Sequence, residues 1–429
     1  MMALHAARLF DGAGLLLDRV VLVDGARIAG IAAPDAVPPG AEPTKLPEDH
    51  VLAPGFVDLQ VNGGGGVLFN DAPSVAALRH IAAAHAGAGT TAILPTLISG
   101  TRPQLLAALA AVRSALAAGV PGIAGLHLEG PFIAATRRGI HPAAAVIAMT
   151  GADLDLLCAP FPAALVITLA PETVPPDHIR RLAGAGATVF AGHTDADYAT
   201  MIAGLRAGIT GVTHLFNAMS GFAARAPGAA GAALDRPDCF AGIIADGHHL
   251  HDASLRIAFA AKGPDALFLV SDAMPTAASD LTGFVLNGER IRLHDGKLLN
   301  EAGTLAGANL TMAGAVRHAV QHAGLPLEAV LRMATSTPAR AARLADRGRI
   351  APGCRADFVA LDPGLGVAAV WQGGVRLSSG PPAGHALHAP PEDALAKRRT
   401  EGHVMSDIAP APGPDRDGRA RQTATQRPF

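Results

Sequence analysis

Residues Gly125–His141 read GLHLEGPFIAATRRGIH. An apolar run closes on Glu129 and is broken at once by Gly130-Pro131. Because side chains alternate along a strand, His127 and Glu129 face the same way, and the leucines between them face the other. A carboxylate at the end of a buried strand is costly unless a cation or hydrogen bonds compensate it. The stretch therefore predicts a buried strand that ends at a functional site.

Three further stretches repeat this design, in which an apolar run closes on a polar side chain. They are Val189–Asp195 (VFAGHTD), Val212–Met219 (VTHLFNAM) and Leu267–Met274 (LFLVSDAM). Their polar residues are His193, His214 and Asp272. Together with Glu129 they make a set that suits one divalent metal ion and one proton carrier.

Apolar runs and helical spacing alternate along the chain from residue 51 onward. The predicted strands are Val51–Val61, Thr90–Leu97, Gly125–Glu129, Leu165–Ala170, Thr188–Gly192, Val212–Leu215, Phe240–Ala245 and Leu267–Ser271. About eight β-then-α units in succession predict an α/β fold of the (β/α)8 TIM-barrel type. The active site of such a barrel lies where its strands end, and every polar residue singled out above sits at such an end.

The segments on either side of the barrel have a different pattern. Residues 1–52 and 349–380 predict short strands and turns, which we expect to form one small β-sandwich domain from the two ends of the chain. The barrel would then span residues 53–348, with a β-hairpin inserted at Leu281–Ala308. Residues 381–429 are rich in Pro, Ala, Arg and Asp without an apolar period, and this predicts a disordered tail.

Composition excludes several classes of function. Of the 429 residues half are hydrophobic and 16% are charged, and the formal net charge is −2 without the basic stripe that nucleic-acid binding needs. No apolar run approaches the roughly 18 residues that suggest a membrane span. Three cysteines lie far apart without a CxxC pair, which fits a reducing compartment and makes the cytoplasm the expected location.

Each candidate residue also has a plainer interpretation. A single histidine at a strand end is usually a packed or surface residue, and Asp272 could be a helix cap. Two histidines that end consecutive strands, together with Glu129, instead match the ligand set of a catalytic zinc or similar ion. The position of Asp272 at the barrel mouth favours a general base. Arg225 stands alone in an apolar stretch, where a guanidinium suits a phosphate or a carboxylate.

Eight stretches resemble the N-acetylglucosamine-6-phosphate deacetylases of the metal-dependent amidohydrolase superfamily. They are APGFVDLQVNG, GLHLEGPF, AGHTDA, THLFNAM, PGAAGAAL, GIIADGHH, LVSDAM and GTLAGANLTM, in that order between about Pro54 and Thr337. The resemblance implies that Glu129, His193 and His214 bind the metal and that Asp272 is the catalytic acid and base. It implies a set of substrate contacts: Ile140, His141, Asn217, Ala218, Arg225, His249, Leu305, Ala306 and Gly307.

The activity implied by this resemblance is hydrolysis of N-acetylglucosamine 6-phosphate to glucosamine 6-phosphate and acetate in amino-sugar catabolism. One divalent ion is expected, with zinc favoured and iron or another divalent ion as alternatives. The partner is a small phosphorylated amino sugar, and neither nucleic acid nor membrane is expected. A homodimer is implied, in which Arg225 reaches the phosphate across the subunit interface.

The chain departs from the wider superfamily at Gln60-Val61-Asn62, where most two-metal amidohydrolases carry His-x-His. An amide oxygen is a weak ligand for borderline metals, so a single metal is predicted. Two alternatives stay open. One is another amidohydrolase, an aminoacylase or a cyclic amidase, although these usually need His-x-His or a bridging lysine. The other is a non-catalytic barrel that serves as a scaffold, against which the intact set of four polar residues argues.

Overall fold

The structure is a computed structural model that describes residues 1–41 and 43–378. The tail predicted at 381–429 lies outside the described residues. The strands, in chain order, are β1 (Met2–Phe10), β2 (Leu15–Asp24), β3 (Arg27–Ala32), β4 (Pro43–Lys45), β5 (Val51–Pro54), β6 (Phe56–Val61), β7 (Gly63–Gly64), β8 (Val67–Leu68), β9 (Thr90–Ile98), β10 (Gly125–Glu129), β11 (Ala164–Leu169), β12 (Thr188–Ala191), β13 (Ile209–Val212), β14 (Phe240–Ile243), β15 (Leu267–Leu269), β16 (Gly283–Leu286), β17 (Glu289–His294), β18 (Lys297–Leu299), β19 (Leu305–Ala308), β20 (Phe358–Leu361), β21 (Val367–Gln372) and β22 (Val375–Arg376).

The helices follow the same alternation. They are α1 (Val75–Gly87), α2 (Arg102–Ala117), α3 (Gly151–Leu157), α4 (Pro176–Gly184), α5 (Tyr198–Ala207), α6 (Gly228–Asp235), α7 (Asp252–Lys262), α8 (Met312–Gln321), α9 (Leu327–Ala334) and α10 (Ser336–Ala341). Side-chain caps start several of them. Thr101 and Gln104 form a reciprocal capping box at α2, and the Asp197 carboxylate accepts the backbone N–H of Thr200 at α5. Within the described residues, no helix combines the length and the apolar character of a membrane span.

Eight parallel strands form the barrel, which confirms the predicted fold class. They are hydrogen-bonded in the order β6, β9, β10, β11, β12, β13, β14 and β15, which is also their order along the chain. Every residue of β9 and β10 is buried, as expected for parallel strands covered on both faces. The seam between the first and last strands closes beyond β15, where Val61 and Ala273 form a parallel bridge.

The strand predicted at Val51–Val61 divides at Gly55. Its first part, β5, belongs to the small sheet, and its second part, β6, begins the barrel. No side chain fits at this division, because a Cβ atom at Gly55 would lie 2.1 Å from the Thr91 hydroxyl oxygen. The sixth barrel strand begins earlier in the chain than its predicted range, Val212–Leu215. It ends at Val212, and His214 leaves the strand with a φ of 32°.

The small sheet joins the two ends of the described chain, in agreement with the predicted small β domain. Its order is β22, β21, β20, β5, β1, β2 and β3, with β4 beside β1. The antiparallel pairing of β5 with β20 connects the N-terminal and C-terminal segments. The sheet has its own apolar core, which includes Leu4, Leu9, Phe358 and Trp371.

The predicted inserted hairpin is a larger element than expected. β16–β19 form a four-stranded antiparallel sheet, with tight turns at Asn287-Gly288 and Asp295-Gly296. All four turn residues have positive φ, which suits turns of the Asn-Gly and Asp-Gly kind. The apolar side of this sheet packs on Ile98 and Met274, which lie at the barrel mouth.

Candidate active site

Three buried side chains converge at the carboxyl ends of the barrel strands. Glu129 is the last residue of β10, and His193 and His214 each follow a strand by two residues. One ligand atom from each lies within 4.8 Å of the others. Glu129 Oε1 is 3.3 Å from His193 Nε2 and 3.1 Å from His214 Nε2. The structure therefore brings together the three residues predicted to bind a metal.

The hydrogen bonding of His193 fits a metal site. The His193 Nδ1 atom lies 2.8 Å from the Arg137 carbonyl oxygen, which can only accept. Nδ1 therefore carries the proton, and the lone pair of Nε2 faces Glu129, as in metal-binding histidines. The His214 Nδ1 atom is buried and has no hydrogen-bond partner in the described part of the chain. Burial raises the pKa of Glu129, but the His193 and His214 imidazoles beside its Oε1 atom hold that pKa well below its usual value.

Asp272 lies beside this cluster, at the end of the eighth strand. Its Oδ1 atom accepts hydrogen bonds from Asn62 Nδ2 at 2.7 Å and from Gln60 Nε2 at 3.0 Å. Burial, and then the negative charge of Glu129, raise the pKa of Asp272 to about 6. A carboxyl group that titrates near neutrality can accept a proton and return it, as the predicted acid and base must.

His141 is held as a neutral hydrogen-bond donor. Its Nδ1 atom lies 3.3 Å from the Ser99 backbone N–H, which donates to it, and 2.7 Å from the Ser99 hydroxyl. Because Nδ1 accepts, the proton is on Nε2. Burial and the neighbouring His193 hold the pKa of His141 well below its usual value. Its ring centroid lies 4.3 Å from that of His193, so the donor belongs to the same site.

One cavity of about 330 Å³ joins these groups. Seven of the nine predicted substrate contacts line it: Ile140, His141, Asn217, Ala218, His249, Leu305 and Gly307. Ala306 is buried among the apolar side chains of the inserted sheet, where β-strand alternation turns it away from the cavity. Arg225 lines a different cavity, together with Asp195 and Tyr198. Within one chain the structure does not bring Arg225 to the site.

Sequence reasoning missed several residues around the site. Ile98, Thr136, Arg137, Ile244, Met274 and Thr304 also line the cavity. Of these, Ile98 and Ile244 lie at predicted strand ends, so their position was available from the pattern. The roles of Ser99, Gln60 and Asn62 depend on hydrogen bonds between residues that are far apart in the sequence.

His127 is on the face of β10 shared with Glu129. It lies deeper in the barrel and bonds Thr168 at 2.7 Å. Burial lowers its pKa to about 4.

Comparison with known proteins identifies the family of the chain. Residues 51–379 match the model of the amidohydrolase family. The chain is 42% identical over 326 residues to N-acetylgalactosamine-6-phosphate deacetylase from Shewanella sp. (strain ANA-3), covering 76% of this chain and 83% of that protein. It is 32% identical to N-acetylglucosamine-6-phosphate deacetylase from Haemophilus influenzae, covering 81% and 92%. The crystal structure of N-acetylglucosamine-6-phosphate deacetylase from Pasteurella multocida superposes with a TM-score of 0.84 at 32% identity, covering 88% and 100%.

Proposed function

The chain belongs to the amidohydrolase family, and we propose that it hydrolyses N-acetylglucosamine 6-phosphate to glucosamine 6-phosphate and acetate. The observation that carries this proposal is the convergence of Glu129, His193 and His214 within 4.8 Å, in the same cavity as Asp272. A non-catalytic scaffold would have no need to keep these costly buried polar groups together.

Glu129, His193 and His214 would hold one divalent ion. When bound, such an ion lowers the pKa of a water ligand to about 7 and polarises a carbonyl oxygen. Two imidazoles and a carboxylate favour zinc, and iron is the main alternative. Gln60 and Asn62 use their amide nitrogens as donors to carboxylates, which supports one ion rather than two.

The side chains of this site divide the remaining chemistry between them. Asp272 takes a proton from the attacking water and returns it to the amide nitrogen as the C–N bond breaks, so that the amine and acetate leave as products. Neutral His141 donates its Nε2–H to the carbonyl oxygen, on which negative charge develops. The buried setting strengthens both interactions because little water screens them.

Recognition of the sugar phosphate would involve a second copy of the chain. His249 lines the cavity, and Asp246 fixes its ring through a 2.7 Å bond to Nδ1. Arg225 lies outside the cavity of its own chain, on a loop that also exposes 65% of Phe222. A homodimer that buries this loop would remove an apolar side chain from water and could present Arg225 to the partner's phosphate.

A second candidate substrate is the C4 epimer, N-acetylgalactosamine 6-phosphate. The relative that is 42% identical bears the name of a deacetylase for this sugar. Both sugars carry the same acetamido group and phosphate, so Asp272, His141 and the metal ligands would act alike on either. Selectivity between them would depend on the groups that contact the C4 hydroxyl.

The decisive experiment measures acetate release by the metal-loaded protein from four sugars: both N-acetylhexosamine 6-phosphates and their unphosphorylated forms. We expect turnover of at least one phosphorylated sugar and a much lower kcat/KM without the phosphate. Equal kcat/KM values with and without phosphate would contradict phosphate recognition. Release of acetate from neither phosphorylated sugar would contradict the proposed function itself, and an aminoacylase or cyclic-amidase substrate panel would follow.

A further inference from the structure

Alternate residues in and just after the first barrel strand face the last strand across the seam of the barrel. Asp58, Gln60 and Asn62 are almost completely buried and point to the same side. Asp58 Oδ1 accepts the backbone N–H of Ser271 at 3.2 Å, and both amides bond Asp272. The strands β6 and β15 form no continuous ladder, so these side chains make much of the connection.

The Gln60 amide joins two carboxylates. Its Nε2 atom lies 2.8 Å from Glu129 Oε1 and 3.0 Å from Asp272 Oδ1, and its two hydrogens suffice for both bonds. The opposite orientation of the amide would place its oxygen against two carboxylate oxygens. The same reasoning fixes Asn62, whose Nδ2 atom faces Asp272 Oδ1 at 2.7 Å.

Asp272 thus has two unlike oxygens. Oδ1 accepts two amide N–H bonds, whereas neither amide contacts Oδ2. The backbone of Asp272 has a φ of 50° and is held by the Ala308 N–H, which donates to its carbonyl oxygen at 2.9 Å. With the backbone fixed, the two amides determine the rotation of the carboxylate.

We propose that Gln60 and Asn62 are positioning residues: they hold Oδ1 of Asp272 and so present Oδ2 as the atom that takes and returns the proton. Gln60 also ties this carboxylate to Glu129, so the proton carrier and the candidate metal ligand keep a fixed separation. The two positions that carry imidazoles in the two-metal pattern carry the amides Gln60 and Asn62 in this chain, and these amides orient the Asp272 carboxylate. This inference rests on the proposed function for the proton transfer and the rate readout, whereas the contacts of the two amides with Oδ1 do not depend on it.

The test uses Asn62→Leu, which keeps the side-chain size but removes the donor, and Gln60→Met as a second variant of the same kind. In the metal-loaded protein we expect kcat to fall about 10- to 100-fold with KM and metal content close to wild type. The control is Thr337→Val. Thr337 is buried and does not line the cavity, and its hydroxyl donates to the Pro264 carbonyl oxygen at 2.6 Å, so its loss lowers Tm but leaves kcat near wild type.

A second readout does not depend on activity. Asn62→Leu is introduced into wild type and into Asp272→Ala, and the change in Tm is compared. We expect a loss of a few degrees in wild type and none in Asp272→Ala, because there the amide has already lost its partner. Equal losses in both backgrounds, or a kcat within about twofold of wild type in both Asn62→Leu and Gln60→Met, would overturn the proposal. Should wild type release no acetate, the proposed function fails, and the Tm comparison still decides whether the contact exists.

Discussion

The Nε2 atoms of His193 and His214 lie 3.1 Å apart, although the two residues follow consecutive barrel strands. Both residues have positive φ, 49° and 32°, and so does Asp272 at 50°. A left-handed backbone is unfavourable for residues other than glycine and is found where the surroundings impose it, often at functional sites. Each strand thus turns its polar residue toward the centre of the barrel mouth as soon as its ladder ends.

The first prediction concerns the proton carrier. Asp272→Asn keeps the shape of the side chain but cannot accept a proton, so kcat should fall about 10²- to 10⁴-fold. Metal content and substrate binding should persist, because the ligands Glu129, His193 and His214 are unchanged. Acetate release and metal quantification check this. Turnover near the wild-type rate would assign the proton to another group.

The second prediction is the acid limb of the rate profile. Asp272 must be ionised to accept a proton, and burial and Glu129 raise its pKa to about 6. A bound cation lowers that value, so log kcat/KM should fall with unit slope below a midpoint at or under about pH 6. A midpoint above pH 7 in the metal-loaded enzyme would exclude Asp272 as the titrating group.

The third prediction tests whether Arg225 of one subunit completes the active site of its partner. Arg225→Ala and Asp272→Asn should each be inactive at low substrate. When the two are unfolded and refolded together in equal amounts, half the dimers are mixed and one of their two sites is intact. Activity should therefore return to about a quarter of wild type. If Arg225 acts within its own chain, the mixture stays as inactive as its components.

Removal of the metal provides the fourth prediction. Chelation should abolish acetate release and lower Tm, because the ion binds only the folded arrangement of Glu129, His193 and His214. Zinc should restore both properties. Magnesium should not, since it prefers oxygen ligands in an octahedral arrangement. Full activity after complete metal removal would contradict the proposed chemistry.

The fifth prediction concerns stability and Asp58. Burial raises the pKa of Asp58 to about 7 in the folded chain, against 3.8 for the free group. Between these values the folded state holds a proton that the unfolded state has released, so this group makes the protein less stable as pH rises from 4 to 7. In Asp58→Asn that contribution is absent. Its Tm should fall less than that of wild type over this range, and parallel curves would contradict the assignment.

The sequence predicted the barrel because eight apolar runs alternate with helical spacing, and that pattern is local. It also predicted the metal set, because Glu129, His193 and His214 each close such a run. It could not show that the run divides at Gly55, where Thr91 of another strand leaves no space for a side chain. Nor could it reveal the Ser99 and His141 pair or the Gln60 bridge, which join residues 42 and 212 positions apart. Local pattern specifies which side chains reach the barrel mouth, whereas their partners depend on the closed barrel.

The antiparallel pair of β5 and β20 has a consequence for the length of chain that this fold requires. All the candidate catalytic side chains lie upstream of residue 310, so a chain stopped after residue 349 would still encode each of them. Such a truncation would nevertheless remove β20, one of the two strands that pair with β5, which Gly55 alone separates from β6. The strand that carries Gln60 would lose part of its support, and a premature stop far from the cavity should therefore still impair catalysis.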